Sequence, residues 1–255
     1  IFLLVKNKHH ASLEKSLFSS PAACIMSIEK RLNTLRKKYN DKDIDDIRLL
    51  EELLDSLKQI QPTDFSRYLN LLKLLKDKDY AWNSSAKDDR IVIFTERIET
   101  MKFLAENLRK DLKLKAEAIQ EISGAMSDAD QQKIVENFGR EESPMRILVA
   151  SDVASEGLNL HYLCHRMIHF DIPWSLMVFQ QRNGRIDRYG QQKRPDIRYM
   201  LIDSDNKAIK GDMHIIEILI TKEEQALKNI GDPTLLLGKF SAEDEELVVA
   251  ESIET

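Results

Sequence analysis

The sequence has few cysteines and no long hydrophobic run, and each absence excludes a class of protein. Cys24 and Cys164 are its only cysteines and lie far apart, so no disulfide framework is expected and a reducing cytoplasm fits best. No apolar run approaches the roughly 20 residues that span a bilayer, and the apolar start is too short for a signal peptide. We therefore expect a cytoplasmic protein without a membrane partner. The first residue is not methionine, which suggests a fragment excised from a longer protein.

A strong positive charge is absent as well. The net charge is −5, and residues 241–255 hold six acidic residues and no lysine or arginine. The remainder is close to neutral, which is not the composition of a protein that coats nucleic acid through its overall charge. Residues 180–198 are the exception, because they contain six lysines or arginines and two aspartates. This stretch can form a local phosphate site.

Apolar residues repeat at helical spacing throughout residues 11–80. The predicted helices lie around Ile28, between Asp43 and Pro62, and over residues 64–76. The polar stretch 83–89 is predicted to be a linker. Residues 1–82 are accordingly interpreted as a helical segment or insertion, an appendage to the domain that follows.

From residue 90 onward, short apolar runs alternate with amphipathic stretches. The runs predict strands over residues 91–95, 116–122, 146–151, 166–170 and 197–202. Helices are predicted near residues 97–110, 127–138, 153–160, 175–189 and 213–230. Strands separated by helices of this length indicate an α/β fold, with a parallel sheet of about five strands flanked by helices. The domain covers residues 90–230, and residues 231–255 are predicted to be an acidic, flexible tail.

The stretch "QQRNGRIDRYGQ", residues 180–191, carries the most chemical information. Arg182, Arg185 and Arg188 recur every third residue, so on a continuous helix they share roughly one face. Three guanidinium groups on one face repel each other and need anionic partners. Phosphate groups or nearby carboxylates such as Asp187 and Asp196 would serve, and the residues alone leave both interpretations open.

Five segments in order resemble motifs of the superfamily-two helicases and translocases. They are "IVIFTER" (motif IV), "ISGAMSDADQQKIVENF", "ILVASDVASEGLNL" (motif V), "MIHFDIPWS" and "QQRNGRIDRYGQ" (motif VI), within residues 91–191. The pairing of "SEGLNL", "DIPWS" and "RYGQ" is most similar to the Swi/Snf-type double-stranded DNA translocases, particularly their RapA-like bacterial branch. The resemblance implies the second RecA-like (P-loop NTPase-like) lobe of such an ATPase, in a bacterial cytoplasm or nucleoid.

The resemblance also implies roles for particular residues. Arg185 and Arg188 match arginine fingers, Gly157, Asn159 and Gln181 match positions along the nucleotide cleft, and Thr95 and Ser151 match positions that face nucleic-acid phosphates. The residue types suit these roles, because a planar, permanently charged guanidinium group stabilises a transferring phosphoryl group better than an ammonium group. Hydroxyl groups can follow a phosphate backbone without reading its sequence. Considered singly, the glycine would be an ordinary turn residue and the two hydroxyl residues ordinary strand ends.

Two parts of a complete ATPase are not found in the sequence. Gly238 and Lys239 are followed by Phe240, so there is no G-x-x-x-x-G-K-[ST] loop, and no Asp-Glu pair ends an apolar strand. The resemblance therefore implies that ATP and Mg²⁺ are held mainly by a first lobe missing from this chain. This chain alone is predicted to be inactive, and duplex DNA is the favoured nucleic acid. The alternatives are a lobe of a strand-separating RNA or DNA helicase and a degenerate, non-catalytic docking lobe.

Three histidines raise the question of zinc. His161, His165 and His169 recur every fourth residue, with Cys164 alongside. The last two histidines fall in a predicted strand, and no second pair of ligands has matching spacing. No metal site is predicted.

Overall fold

A computed structural model describes residues 10–38, 43–151, 159–203 and 211–228, together with Glu246 and Val249. Most of the predicted helix over residues 153–160 and nearly all of the predicted tail lie outside these residues. Within the described part of the chain, no helix is both long and apolar enough to cross a membrane.

Three N-terminal helices pack around an apolar core. They are α1 (His10–Ser19), α2 (Pro21–Lys37) and α3 (Ile44–Lys58), and their buried side chains include Leu13, Ile28, Leu32, Leu50 and Leu57. Ser20 caps α2, because its Oγ accepts a hydrogen bond from the backbone N–H of Ala23 at 3.0 Å. Pro21 occupies the first helical position, where no N–H is needed. The first two helices predicted from the sequence are confirmed.

The next helix, α4 (Ser66–Leu75), contributes to the core of the sheet. It begins after a short 3-10 turn at Pro62–Asp64, slightly later than predicted. Its buried residues Tyr68, Leu71 and Leu75 belong to the same apolar cluster as Ile91 and Ile93 of the first strand. Part of the segment assigned to the helical appendage is therefore packed directly against the sheet.

Five parallel strands form one sheet. They are β1 (Arg90–Thr95), β2 (Ile119–Ile122), β3 (Ile147–Ser151), β4 (Cys164–His169) and β5 (Asp196–Tyr199), in the order β2-β3-β1-β4-β5. Every residue of β1 and β3 is buried, as expected of central strands in a parallel sheet. The predicted RecA-like α/β fold is confirmed. β2 is shorter than predicted, because Ala116–Ala118 forms a 3-10 turn before it.

Helices cover both faces of this sheet. Ile91 and Ile93 pack on one face with α4 and α5 (Ile98–Asp111), whereas Val92 and Phe94 pack on the other with α6 (Asp128–Phe138). Within the sheet, β2 and β3 lie on one side of β1. After β3 the chain crosses to the other side of β1, where β4 and β5 lie. The strand order therefore reverses beside β1. In open α/β sheets, ligands bind at such a point, outside the carboxyl ends of the strands.

Three arginines bind neighbouring segments at the opposite edge of the sheet, where the amino ends of the strands lie; we call it the amino edge. The buried guanidinium group of Arg90 donates to main-chain carbonyls of Lys87, Asn137, Phe138, Arg140 and Ser143. Arg146 donates to the carbonyl of Ser84 at 3.0 Å, and Arg166 donates to a carboxylate oxygen of Asp89 at 2.6 Å. The predicted linker, residues 83–89, is thus hydrogen-bonded to the sheet at several points.

A buried ion pair fixes the start of helix α8 (Asp212–Lys228). The side chains of Arg67 on α4 and Asp212 are in direct contact and almost fully buried. Oδ2 of Asp212 also accepts the backbone N–H of Ile202 at 2.8 Å. Burial lowers the pKa of Arg67 and raises that of Asp212.

Two described residues of the predicted tail contact the folded domain. Val249 is buried in a cluster with Trp174 and with Ile215 of α8. A carboxylate oxygen of Glu246 lies 2.9 Å from Nζ of Lys15. The flexibility of the remaining tail stays a prediction.

Candidate functional site

Two predicted phosphate-facing residues are neighbours at the carboxyl edge of the sheet. Thr95 ends β1, Ser151 ends β3, and the two are direct register partners. Both side chains are buried. The hydroxyl group of Thr95 donates to Oδ2 of Asp171 at 2.6 Å, and that of Ser151 has no hydrogen-bond partner among the described residues. Contact between Thr95 and a phosphate would require its hydroxyl group to leave Asp171.

Asp171, two residues after β4, accepts hydrogen bonds from α1 and from the end of β1. Its Oδ2 accepts the hydroxyl groups of Ser19 and Thr95, each at 2.6 Å, and its Oδ1 accepts the backbone N–H of Glu96 at 2.9 Å. Ser19 is also 2.7 Å from the hydroxyl group of Thr100 on α5. The carboxylate therefore joins the end of α1 to the ends of β1 and β4. Its only sequence signal is an acidic residue directly after an apolar strand.

The helix containing the start of the motif VI-like sequence is shorter than predicted. It is α7 (Leu176–Asn183), and Ser175 caps it by accepting the backbone N–H of Val178 at 3.3 Å. The α-helix ends at Asn183, with Gly184 as its C-cap residue. We call residues 184–188 the arginine turn.

The prediction that Arg182, Arg185 and Arg188 share one helical face is wrong. The helix ends after the first of them, and the N–H of Arg185 bonds back to the carbonyl of Arg182 at 3.0 Å. Ile186, between the other two, is fully buried in the apolar cluster on the α6 face of the sheet. The driving force for burying this side chain turns the chain inward. The first arginine therefore lies inside the protein, and the third lies on its surface.

Arg182 is fully buried at the carboxyl end of β4. Its Nη1 donates to the carbonyl of Asp171 at 3.1 Å and lies 3.3 Å from Nδ1 of His169. Its Nη2 is 3.7 Å from Oδ1 of Asp171, and its guanidinium carbon lies 5.7 Å from the centre of the Phe94 ring. A cation buried this completely needs such partners. The arginine closest to the helix is therefore an internal anchor.

His169, the last residue of β4, is held as a neutral ring. Burial, with a further contribution from Arg182, lowers its pKa to about 3. Its Nε2 lies 2.8 Å from Oδ1 of Asn183 and its Nδ1 faces Arg182, so Nε2–H donates and Nδ1 accepts. The ring also stacks on Phe179 with 5.1 Å between ring centres. His169 thereby connects β4 to the end of α7.

The arginine turn contacts the described end of the motif V-like segment. Arg185 is half-buried, and Arg188 is exposed. Nη1 of Arg188 donates to Oδ1 of Asn159, and the N–H of Leu160 donates to the carbonyl of Arg185 at 3.3 Å. A predicted finger and a predicted cleft residue, 29 positions apart, are thus in contact.

The structure says less about the other two residues that were predicted to line the nucleotide cleft. Gly157 lies outside the described residues. Gln181 lies on α7 beside Arg182 and is half-buried. Their proposed nucleotide contacts stay predictions.

The residues after the arginine turn pack tightly against the segment before β4. Gly190 has φ +97°, and a Cβ atom there would lie 3.3 Å from Nε2 of His161. The ring of His161 stacks on Tyr162 with 4.3 Å between ring centres. Burial and the charge of Arg188 lower the pKa of His161. Tyr189, between Arg188 and the glycine, is fully exposed.

The histidines that suggested zinc have different surroundings. His165 and His169 both lie in β4, and the thiol of Cys164 donates to the carbonyl of Arg166 at 3.3 Å. In the described parts of the chain, no three His, Cys, Asp or Glu side chains group together in a way that could hold a metal ion.

Comparison with known proteins shows what these residues are similar to. The model of the helicase conserved C-terminal domain matches residues 67–190. The chain is 28% identical to the "Uncharacterized ATP-dependent helicase YqhH" of Bacillus subtilis (strain 168), over 92% of this chain and 37% of that protein. It is also 28% identical to the "RNA polymerase-associated protein RapA" of Vibrio campbellii, over 56% of this chain and 14% of that protein. The chain thus spans well under half the length of these relatives.

Two solved structures share the fold at low sequence identity. The C-terminal part of the Fun30 ATPase domain has a TM-score of 0.52 at 18% identity, covering 82% of this chain and 63% of that one. The Sulfolobus solfataricus SWI2/SNF2 ATPase core, solved in complex with double-stranded DNA, has a TM-score of 0.51 at 18% identity. It covers 94% of this chain and 46% of that one.

Proposed function

Residues 67–190 form a helicase conserved C-terminal domain, and on that premise we propose that the chain is the second RecA-like lobe of an ATP-dependent, double-stranded DNA translocase of the Swi/Snf, RapA-like type. Its arginine turn faces ATP that is held by a first lobe of the same parent protein. The two lobes close on ATP and open after hydrolysis, and this cycle moves the protein along duplex DNA.

One contact carries this proposal. Arg188 of the arginine turn donates to Asn159 of the motif V-like segment, and both side chains are exposed. The two motifs therefore meet at a surface that a second lobe can reach. The names of the relatives, which include an ATP-dependent helicase and a SWI2/SNF2 core bound to double-stranded DNA, support the same class of activity.

The donor set of this surface suits the phosphates of a nucleotide. Arg185 and Arg188 offer planar guanidinium groups, and Asn159 offers an amide that can donate as well as accept. ATP supplies the transferable phosphoryl group when it is bound. The two arginines then stabilise the negative charge that grows on its oxygens, as arginine fingers do in related chemistry. We assign Mg²⁺ and most of the ground-state affinity for ATP to the first lobe.

ATP turnover of the full-length protein tests the proposal. Duplex DNA, single-stranded DNA and RNA should be compared at equal nucleotide concentration and at several salt concentrations, since phosphate contacts weaken with salt. We expect duplex DNA to stimulate turnover most. Greater stimulation by RNA or by single-stranded DNA favours a strand-separating helicase instead. No turnover under any condition favours a non-catalytic docking lobe.

The 255-residue chain provides an internal control. Without a phosphate-binding loop it should hydrolyse ATP no faster than buffer. Turnover that follows the chain through purification and is lost in Arg188→Ala would contradict the assignment of the phosphate site to another lobe.

A further inference from the structure

Asp171 is a fixed point at the carboxyl edge of the sheet. Its two carboxylate oxygens accept the hydroxyl groups of Ser19 and Thr95 and the N–H of Glu96, and the residue is almost fully buried. These donors belong to α1 and to the end of β1, not to α7. The carboxylate cannot follow a movement of α7 without losing them.

The side chain of Arg182 ties the end of α7 to this fixed point. Its guanidinium group donates to the carbonyl of Asp171 at 3.1 Å and lies 3.7 Å from the carboxylate. The neighbouring residue is tied independently, because Oδ1 of Asn183 lies 2.8 Å from Nε2 of His169. Two consecutive residues of α7 are thus held by two residues at the end of β4.

The main chain of the same two residues holds the arginine turn. The carbonyl of Arg182 accepts the N–H of Arg185 at 3.0 Å. The carbonyl of Asn183 accepts the N–H groups of Ile186 at 3.2 Å and Asp187 at 3.0 Å. The position of the turn is therefore set by the position of the last two residues of α7.

We propose that Asp171 and Arg182 are positioning residues that hold the arginine turn in place, with Asn183 and His169 as a second attachment. The pair contacts neither nucleotide nor nucleic acid in this role. It fixes where Arg185 and Arg188 point. The expected effect on turnover rests on the proposed function, whereas the positioning of the turn does not. A misplacement of about 1 Å can reduce a catalysed rate by roughly a hundredfold, so the attachment matters for catalysis.

A label on the turn measures the attachment without any activity. Tyr189 is fully exposed and follows Arg188 directly, so Tyr189→Cys offers a site for a nitroxide. Both native thiols are buried, and burial raises the pKa of Cys24 to about 11 and that of Cys164 to about 12. The nitroxide should therefore react only at position 189 of the chain.

Asp171→Asn should loosen the turn, because a neutral amide no longer attracts the guanidinium group of Arg182. The nitroxide spectrum should then show faster motion in the 255-residue chain. Asp89→Asn is the matched control: Asp89 is also largely buried, and a carboxylate oxygen of it lies 2.6 Å from Arg166, but at the opposite edge of the sheet. That variant should leave the spectrum unchanged while lowering thermal stability. Asn183→Ala removes only the second attachment and should give a smaller gain in motion.

The same variants in the full-length protein link position to turnover. For Asp171→Asn we expect turnover at saturating ATP and duplex DNA to fall by about tenfold to a hundredfold. The Michaelis constant for ATP should change by less than about threefold, because ground-state binding belongs to the first lobe. A variant that is only less stable would lose active protein but would not loosen the label in the folded fraction.

The outcomes separate the inference from the proposed function. If Asp171→Asn and Asn183→Ala both leave the label as rigid as in the unsubstituted chain, the positioning role is overturned. If Asp171→Asn fails to fold, Asn183→Ala alone decides, and an unchanged spectrum overturns the role. If the label loosens but turnover does not change, the turn is positioned as inferred and its arginines are not the catalytic fingers.

Discussion

The two edges of the sheet hold their arginines in different ways. At the amino edge, Arg90 and Arg146 are satisfied mainly by main-chain carbonyls, and each bonds several. At the carboxyl edge, Arg182 depends on Asp171 and on the ring of His169. The first arrangement uses acceptors that neither titrate nor rotate. The second uses the main-chain carbonyl of Asp171 together with two side chains, the Asp171 carboxylate and the His169 ring, and that carboxylate also binds the end of α1.

This difference has a consequence for mutations. The hydrogen bonds to main-chain carbonyls at the amino edge stabilise the fold, so substitutions of the arginines there should change the free energy of unfolding. At the carboxyl edge, the Asp171 carboxylate and the His169 ring help to hold the arginine turn, so substitutions there should change turnover. The distinction agrees with the general tendency of α/β sheets to place ligands outside the carboxyl ends of their strands.

The largest expected effect comes from the arginine turn. Arg185→Ala and Arg188→Ala, each in the full-length protein, should lower ATP turnover by about 10³–10⁵-fold while ATP and DNA binding stay largely intact. The reason is that fingers meet charge that develops only during phosphoryl transfer. Turnover and nucleotide affinity should be measured at saturating duplex DNA. The matched control is Arg140→Ala, an exposed arginine whose nearest carboxylate, that of Glu136, lies 3.7 Å away. A loss of turnover below about tenfold, or one in proportion to lost ATP affinity, would show that these arginines do not act as catalytic fingers.

The amino edge should respond in stability instead. Arg90→Met removes a fully buried guanidinium group that donates to five main-chain carbonyls, including the buried carbonyl of Phe138, so the free energy of unfolding should fall by about 3–5 kcal/mol. Urea unfolding of the chain measures this loss. Arg198→Met removes an arginine that is exposed on β5 and bonded to Asp196, so it should cost less than about 1 kcal/mol. Equal losses for the two variants would show that the carbonyl contacts of Arg90 contribute little.

The carboxyl edge should be sensitive to acid through His169. Its pKa in the folded protein is about 3, below the ordinary 6.5, so the unfolded chain binds the extra proton between these values. The free energy of unfolding therefore falls as the pH falls through this window, by up to about 3 kcal/mol between pH 6.5 and pH 4. His169→Gln should show a correspondingly shallower pH dependence in urea unfolding. Parallel curves for the two proteins would mean that the pKa of His169 is the same in the folded protein as in the unfolded chain.

The smallest effect concerns the segment after the arginine turn. Gly190→Ala places a Cβ atom 3.3 Å from His161 at a φ of +97°, so we expect a loss of about 1–2 kcal/mol in thermal or urea unfolding. Gly184→Ala is the matched control, because its new Cβ meets only ordinary contacts at 3.5 Å and beyond. It should be neutral or slightly stabilising. A loss of similar size at both glycines would show that backbone strain at position 190 is not the cause.

Local pattern was enough to predict most of the described strands and helices. The apolar run over residues 91–94 in β1 and the helical spacing around Ile28 are both local signals, so no distant contact is needed to recognise them. The motif-like segments likewise predicted the resemblance to helicases, and the helicase C-terminal domain model matches residues 67–190. They also named Arg188 and Asn159, which the structure brings together. The five parallel strands follow from the same alternation of strand and helix.

Tertiary structure decided where each arginine points. The sequence spacing of Arg182, Arg185 and Arg188 is compatible with one helical face, and only the burial of Ile186 and the end of α7 at Asn183 separate them. The role of Asp171 was equally hidden, because its partners Ser19 and Thr95 lie 152 and 76 positions away. Hydrogen bonds between such distant residues leave no periodic trace in a single sequence. Local periodicity therefore determines which strands and helices form, whereas long-range packing determines which polar side chains meet.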